Sequence, residues 1–123
     1  MIDEVEAEST LLMLANEGDE AGLYEAIWEF NSGPFSSSTL GEKYAAAESS
    51  IRSLYAKGLI EFRRMVFTDD YKDYQYEPID PGELDEILSN PVSWYPDYAH
   101  VRIVFMATEA GERAYFSGSD HAS

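Results

Sequence analysis

Few residues of this 123-residue chain have the types and spacing that catalysis requires. A serine nucleophile needs a histidine base and a third group that orients the base, and the chain has only two histidines, His100 and His121. His100 opens an apolar segment and His121 lies near the carboxyl terminus, so neither accompanies a candidate nucleophile. Gly18, Gly22 and Gly33 lack the spacing of a phosphate-binding loop. We therefore predict no catalytic and no cofactor-binding residues.

The acidic stretch between Asp69 and Asp80 has the length of a calcium-binding loop but only part of its ligand pattern. Asp69 and Asp73 fall at the first and fifth positions of such a loop, but Tyr71 stands at the third and Tyr74 replaces the glycine that the turn needs. Asp80 is shorter than the glutamate that completes calcium coordination. The pattern fails, and we predict no metal ligands.

Composition restricts the environment of the chain. It contains no cysteine, so it has neither disulfides nor thiolate metal sites, which suits a reducing compartment. The amino-terminal residues are acidic where a secretory signal would be basic, and no apolar run approaches the roughly 18 residues of a membrane span. We expect a cytoplasmic protein without a membrane segment.

Net charge is the strongest compositional feature. Acidic residues outnumber basic ones by 24 to 8, giving a net charge of −16, which repels a phosphate backbone. The charge is uneven, because residues 38–64 hold five basic and three acidic residues and the rest of the chain holds three basic and 21 acidic ones. Residues 38–64 are therefore the only part that is not acidic.

The pattern of residues 38–64 predicts a helix followed by a strand. Its apolar residues recur at alternating steps of four and three, as on one face of a helix: Leu40, Tyr44, Ala47, Ile51 and Leu54. Gly58 follows Lys57 and can adopt the positive φ that ends a helix. An apolar, partly β-branched run at 59–67 then predicts a strand. A second strand is predicted at 100–107.

These features resemble winged helix-turn-helix proteins. A helix that ends in Lys57-Gly58-Leu59-Ile60 and turns at once into a strand is similar to the recognition helix and first wing strand. The strand at 100–107, followed by a helix capped by Thr108, is similar to the close of the wing. The order also resembles that of small uncharacterised bacterial winged-helix proteins, a resemblance that brings no established activity.

The resemblance implies an α+β winged helix with a three-helix core, a two-stranded wing and a short carboxyl-terminal helix. One domain then covers residues 1–116, with an aromatic and helical wing insert at 69–99 and a disordered tail at 117–123. The first two helices are predicted at 3–16 and from Asp19 or Glu20 to Asn31, the second with a broad apolar face that includes Trp28 and implies burial on more than one side. A short helix within the insert is predicted to begin at Asp80 and Pro81, a cap residue followed by a proline at the first helical position. The family pattern favours a break or bend within 38–57, although the apolar spacing itself contains no breaker.

Two functions remain open from the sequence. The first is protein–protein interaction with a basic or nucleic-acid-binding partner, or as a homodimer, through aromatic anchors of the insert: Tyr71, Tyr74, Tyr76, Trp94, Tyr95 and Tyr98. The alternative is a dimeric transcriptional regulator whose DNA contacts lie on the third helix and first wing strand: Lys43, Ser50, Ser53, Lys57, Arg63 and Arg64. The net charge disfavours the alternative.

Overall fold

The computed structural model describes residues 2–18, 20–70, 72–94 and 101–122, with the backbone alone at 34 and 117–122. Within these ranges the chain is an α+β fold with five helices and one four-stranded antiparallel sheet. The helices are α1 (Glu4–Asn16), α2 (Leu23–Phe30), α3 (Leu40–Ala56), α4 (Pro81–Ser89) and α5 (Glu109–Ala122). The strands are β1 (Ala21–Gly22), β2 (Ile60–Phe67), β3 (Tyr74–Pro78) and β4 (Val101–Ala107).

The two predicted strands lie side by side in one sheet, which confirms their pairing. The strand order is β1-β4-β2-β3, and β2 runs antiparallel to β4 with Phe62 opposite Phe105 and Arg63 opposite Val104. Because side chains alternate along a strand, this register places Phe62 and Phe105 on one face, where both are buried. This buried face packs against the helices.

Two further strands were not predicted from the sequence. β1 has only two residues, pairs with β4, and shortens the predicted second helix, which begins at Leu23 rather than at Asp19 or Glu20. β3 pairs with β2, with Tyr76 opposite Met65. The sheet therefore has four strands rather than the two that were predicted, because β1 and a strand of the insert add to the paired β2 and β4.

α3 is one continuous helix, so the predicted break or bend within 38–57 is wrong. Its start is fixed by a capping box in which Glu42 N donates to Thr39 Oγ1 at 3.1 Å and Thr39 N donates to Glu42 Oε1 at 2.9 Å. Gly41 lies in this first turn, where the cap secures the helix. Gly58 has φ of 74°, as predicted for the residue that ends the helix.

Helices α4, α2 and α5 agree with the sequence predictions to different degrees. α4 is capped by Asp80, whose carboxylate accepts from Gly82 N at 3.1 Å, as predicted. Trp28 was expected on a broad buried face of the second helix but is 58% exposed. α5 continues to Ala122 and so includes most of the segment expected to form a tail.

The core is formed by the helices and the inner face of the sheet. Helix α1 contributes Ala7, Leu11 and Ala15, each buried. Of the predicted apolar face of α3, Ala47, Ile51 and Leu54 are buried and Tyr44 is partly buried, whereas Leu40 is exposed. The largest fully buried side chains are Phe30, Phe105, Leu11, Leu23, Ile51, Leu54, Ile60 and Leu88. No helix among the described residues is both long enough and apolar enough to cross a bilayer.

Candidate functional site

The amino-terminal half of α3 does not present its cation to solvent. Lys43 is 8% exposed, and its Nζ donates to Asn31 Oδ1 at 2.9 Å and to the carbonyl of Ser36 at 3.3 Å. Its ammonium therefore ties α3 to the turn that follows α2. Ser50, another predicted DNA contact, is 4% exposed. The side of α3 that carries Lys43 and Ser50 is therefore buried against the rest of the chain.

The carboxyl-terminal half of α3 is bound to α1 by one carboxylate. Glu8 Oε1 accepts from Lys57 Nζ at 2.8 Å and from Ser53 Oγ at 2.9 Å. Two of the predicted DNA contacts thus share an anionic partner within the chain. Glu8 was not singled out from the sequence, because its partners lie more than forty residues away.

A third cation of α3 joins the wing insert. Arg52 bonds Glu48 at 3.0 Å and Asp85 on α4 at 2.7 Å, and it also donates to Ser89 Oγ at 3.0 Å. Partial burial by itself would lower the pKa of Arg52, but the hydrogen bonds that it donates to Asp85 and Glu48, and the charges of these carboxylates, outweigh burial and raise the pKa. The guanidinium is consequently committed to positioning α4.

The arginines of β2 also have partners within the chain. Arg63 pairs with Glu61 at 3.1 Å and lies over the ring of Tyr76, with 5.9 Å from its Cζ to the ring centroid. Arg64 pairs with Glu83 of α4 and donates to the carbonyl of Pro78. Each of these exposed pairs contributes little to stability, but each offsets a charge that could otherwise meet phosphate.

The solvent-facing side of α3 carries small and acidic residues. Glu42, Ala45 and Ser49 are exposed, and Glu48 is half-buried beside them. Hydrogen bonds from the backbone and hydroxyl of Thr39 lower the pKa of Glu42, so it stays ionised. This side is thus anionic, whereas DNA readout favours arginine, asparagine and glutamine at base edges.

A shallow cavity of about 380 Å³ opens between α3 and the insert. Its lining is mostly apolar and comprises Leu40, Tyr44, Ala45, Glu48, Leu88, Ser89, Pro91 and Trp94. Leu40 and nearby Val92 are 60% and 57% exposed. Of the polar residues that line it, Glu48 and Ser89 both bond Arg52.

The predicted aromatic anchors separate into exposed and buried groups. Tyr74 and Tyr76 are 50% and 37% exposed on β3, and their ring centroids are 5.5 Å apart. Trp94 is 3% exposed, and its Nε1 donates to the carbonyl of Leu88 at 3.0 Å, so it belongs to the core. The other predicted anchors, Tyr71, Tyr95 and Tyr98, lie outside the described residues.

The outer face of the sheet, opposite the helices, combines aromatic rings with guanidinium groups. Cζ of Arg102 lies 4.8 Å from the ring centroid of Phe67, and its Nε is buried with no hydrogen-bond partner in the described part of the chain. Val104 is 2% exposed on the same face. Desolvation and the carboxylate of Glu20 raise the pKa of the Tyr76 phenol, so that phenol stays neutral.

No group of three or more metal-binding side chains occurs in the part of the chain that the structure describes. The loop between β2 and β3 instead uses its acids for local structure. Asp70 Oδ1 accepts from Thr68 Oγ1 at 2.6 Å and from the backbone of Lys72 at 3.1 Å. These bonds lower the pKa of Asp70 and shape the loop. His100 lies outside the described residues, and the side chain of His121 is not described.

No protein-family model matches the chain, and neither a curated protein nor a solved structure matches it. The described side chains share one arrangement, in which the cations of α3 and β2 are engaged internally and most carboxylates are exposed.

Proposed function

We propose that this chain is a non-enzymatic cytoplasmic protein of winged-helix architecture that acts by binding a basic protein partner. One observation carries the proposal: the cations of α3 and β2 are engaged within the chain, while most of the acidic side chains that the structure describes are exposed. Lys43 is buried, and Arg52, Lys57, Arg63 and Arg64 each contact a carboxylate. A ligand approaching this molecule meets a negative field.

The order of the elements supports the winged-helix part of the proposal. Three helices precede β2 and β4, β1 pairs with β4, and β4 pairs with β2. The resemblance noted in the sequence implies the same succession, with α3 in the place of the recognition helix. On this scheme β3 and α4 belong to an insert between the two wing strands.

The side chains argue against using this scaffold to read DNA. A protein that neutralises several phosphates needs cations that can leave their own partners. Here Lys57 would have to leave Glu8, and Arg64 would have to leave Glu83, in a molecule whose net charge is −16. A nucleic-acid-binding protein is instead a natural partner, because its basic surface complements the carboxylates of this chain.

The proposal is tested with a fluorescent peptide of alternating arginine and threonine, about nine residues long so that it spans one strand, titrated with the chain. We expect binding at about 50 mM salt and an affinity at least about tenfold lower at about 250 mM salt, because screening weakens attraction between exposed charges. A glutamate-threonine peptide of equal length is the control and is expected not to bind. Absence of arginine-peptide binding at the lower salt would refute the proposal.

A matched substitution separates the proposal from DNA binding. Lys57→Gln removes a cation that the DNA hypothesis needs and frees Glu8, so it leaves arginine-peptide affinity unchanged or raises it slightly. If the substitution weakened binding of the arginine peptide severalfold, α3 would be a cationic binding face, contrary to the proposal.

A further inference from the structure

The strand β3 forms one edge of the sheet. It stands last in the order β1-β4-β2-β3 and pairs only with β2 among the described residues. All five of its residues are exposed. An edge strand of this kind presents main-chain groups that can pair with another extended segment.

Two hydrogen bonds show which main-chain groups of β3 face outward. Thr68 N donates to Asp73 O at 2.9 Å, and Thr108 N donates to Leu59 O at 3.1 Å. In antiparallel pairing, bonded and non-bonded pairs alternate, so the even-numbered residues of β2 bond β3 and the odd-numbered ones bond β4. The even-numbered residues Arg64 and Val66 therefore bond Glu77 and Gln75 of β3, respectively.

The alternation leaves the N–H and C=O groups of Tyr74 and Tyr76 on the open edge. Pro78 belongs to the same outward set, where its missing N–H costs no bond to β2, as expected for a proline in an edge strand. The open edge therefore offers two donors and two acceptors in consecutive register, and Pro78 limits its length.

The side chains next to this edge indicate what an added strand would carry. Arg102 of β4 lies over Phe67 of β2, and Arg63 of β2 lies over Tyr76 of β3. A guanidinium on one strand thus stacks on a ring of the next strand outward, twice across the same face. A further strand with arginine or lysine would bring a cation to the half-exposed ring of Tyr74 from the outer side, so the same kind of pair would form with cation and ring in the reverse order.

Charge around the edge selects the occupant. Residues 68–86 contain eight acidic residues and one basic residue, and the cations of neighbouring β2 are already paired. An extended segment rich in arginine or lysine complements this field. A second copy of the chain would bring the same acidic segment against itself and is repelled.

We propose that β3 is a strand-addition site for an extended, arginine- or lysine-rich segment of the basic partner. The inference rests on the proposed function and specifies where and how that partner binds. Main-chain bonds to Tyr74 and Tyr76 supply the pairing, and stacking on the tyrosine rings together with the surrounding carboxylates selects the cations.

Peptide N-methylation tests the site without altering the protein. Two versions of the arginine-threonine peptide are made, one methylated at the arginine amides and the other at the threonine amides. An added strand uses only one of its two edges, so we expect one version to lose at least about tenfold in affinity and the other to bind like the unmethylated peptide. Equal affinities of the two methylated peptides would overturn the strand-addition site but would not contradict binding of a basic partner.

Amide hydrogen exchange supplies the second readout on the full chain. On binding the unmethylated peptide, the amides of Tyr74 and Tyr76 are expected to slow at least about tenfold. Those of Gln75 and Glu77, already bonded to β2, change less and serve as internal controls. Peptide binding without protection of the two tyrosine amides would overturn the site, whereas no peptide binding at all would overturn both the site and the proposed function.

Discussion

Gly111→Ala is expected to lower the free energy of unfolding by about 3 kcal/mol. A Cβ at this position would lie 1.9 Å from the carbonyl oxygen of Leu59 and 3.4 Å from Cβ of Ala107. The Leu59 carbonyl cannot easily retreat, because it accepts from Thr108 N at 3.1 Å, while Thr108 Oγ1 donates to the carbonyl of Gly58 at 2.6 Å. The substitution therefore forces α5 away from the start of β2.

Gly41→Ala is the matched control for Gly111→Ala. Gly41 also lies in the first turn of a helix, but no neighbouring atom lies within 4 Å of the point that a Cβ would occupy there. Alanine should raise stability at this position by up to about 1 kcal/mol, because it favours the helix. Urea unfolding followed by circular dichroism measures both effects. Similar stabilities for the two variants would show that α5 does not pack closely against the Leu59 carbonyl.

Trp94→Ala is expected to lower the free energy of unfolding by about 3–5 kcal/mol, as for a large buried aromatic residue. The indole is 3% exposed and donates to the carbonyl of Leu88 at 3.0 Å, and its ring centroid lies 6.4 Å from that of Tyr44. Its removal leaves a cavity between α3 and the insert and an unpaired buried carbonyl. The effect on partner binding then follows from loss of folded protein.

Trp28→Ala provides the comparison, since the chain has only two tryptophans. Trp28 is 58% exposed and packs edge-on against Tyr24, so its removal is expected to cost less than about 1 kcal/mol. Urea unfolding of the two variants by circular dichroism compares them directly. A smaller loss for Trp94→Ala than for Trp28→Ala would place Trp94 at the surface, as an anchor rather than a core residue.

Elements whose structure is determined by residues close together in the chain could be predicted from the sequence. An apolar, partly β-branched run predicted the strand at 59–67, the alternation of apolar residues predicted the strand at 100–107, and Gly58 predicted the end of α3. Asp80 and Pro81 predicted the start of α4, because a cap residue and a proline in the first turn act within a few residues. None of these predictions required knowledge of distant contacts.

The predictions from sequence were wrong or incomplete where contacts between distant residues determine the structure. The sequence predicts Lys43 as an exposed cation on a helix, but the hydrogen bonds that it donates to Asn31 and Ser36 allow its burial. β1 is too short to show a period, and it exists because β4 pairs with it. β3 does carry an alternation, since its tyrosines stand two residues apart, and this pattern could have identified the strand. The same pattern would have drawn attention to the open edge.

The proposed function is binding of a basic protein partner rather than of nucleic acid. Its most direct test is a side-by-side titration of labelled duplex DNA and the labelled arginine-threonine peptide with the same chain at about 50 mM salt, where electrostatic binding is strongest. We expect saturable binding of the peptide and no binding of the DNA. Saturable DNA binding that weakens on Lys57→Gln would contradict it.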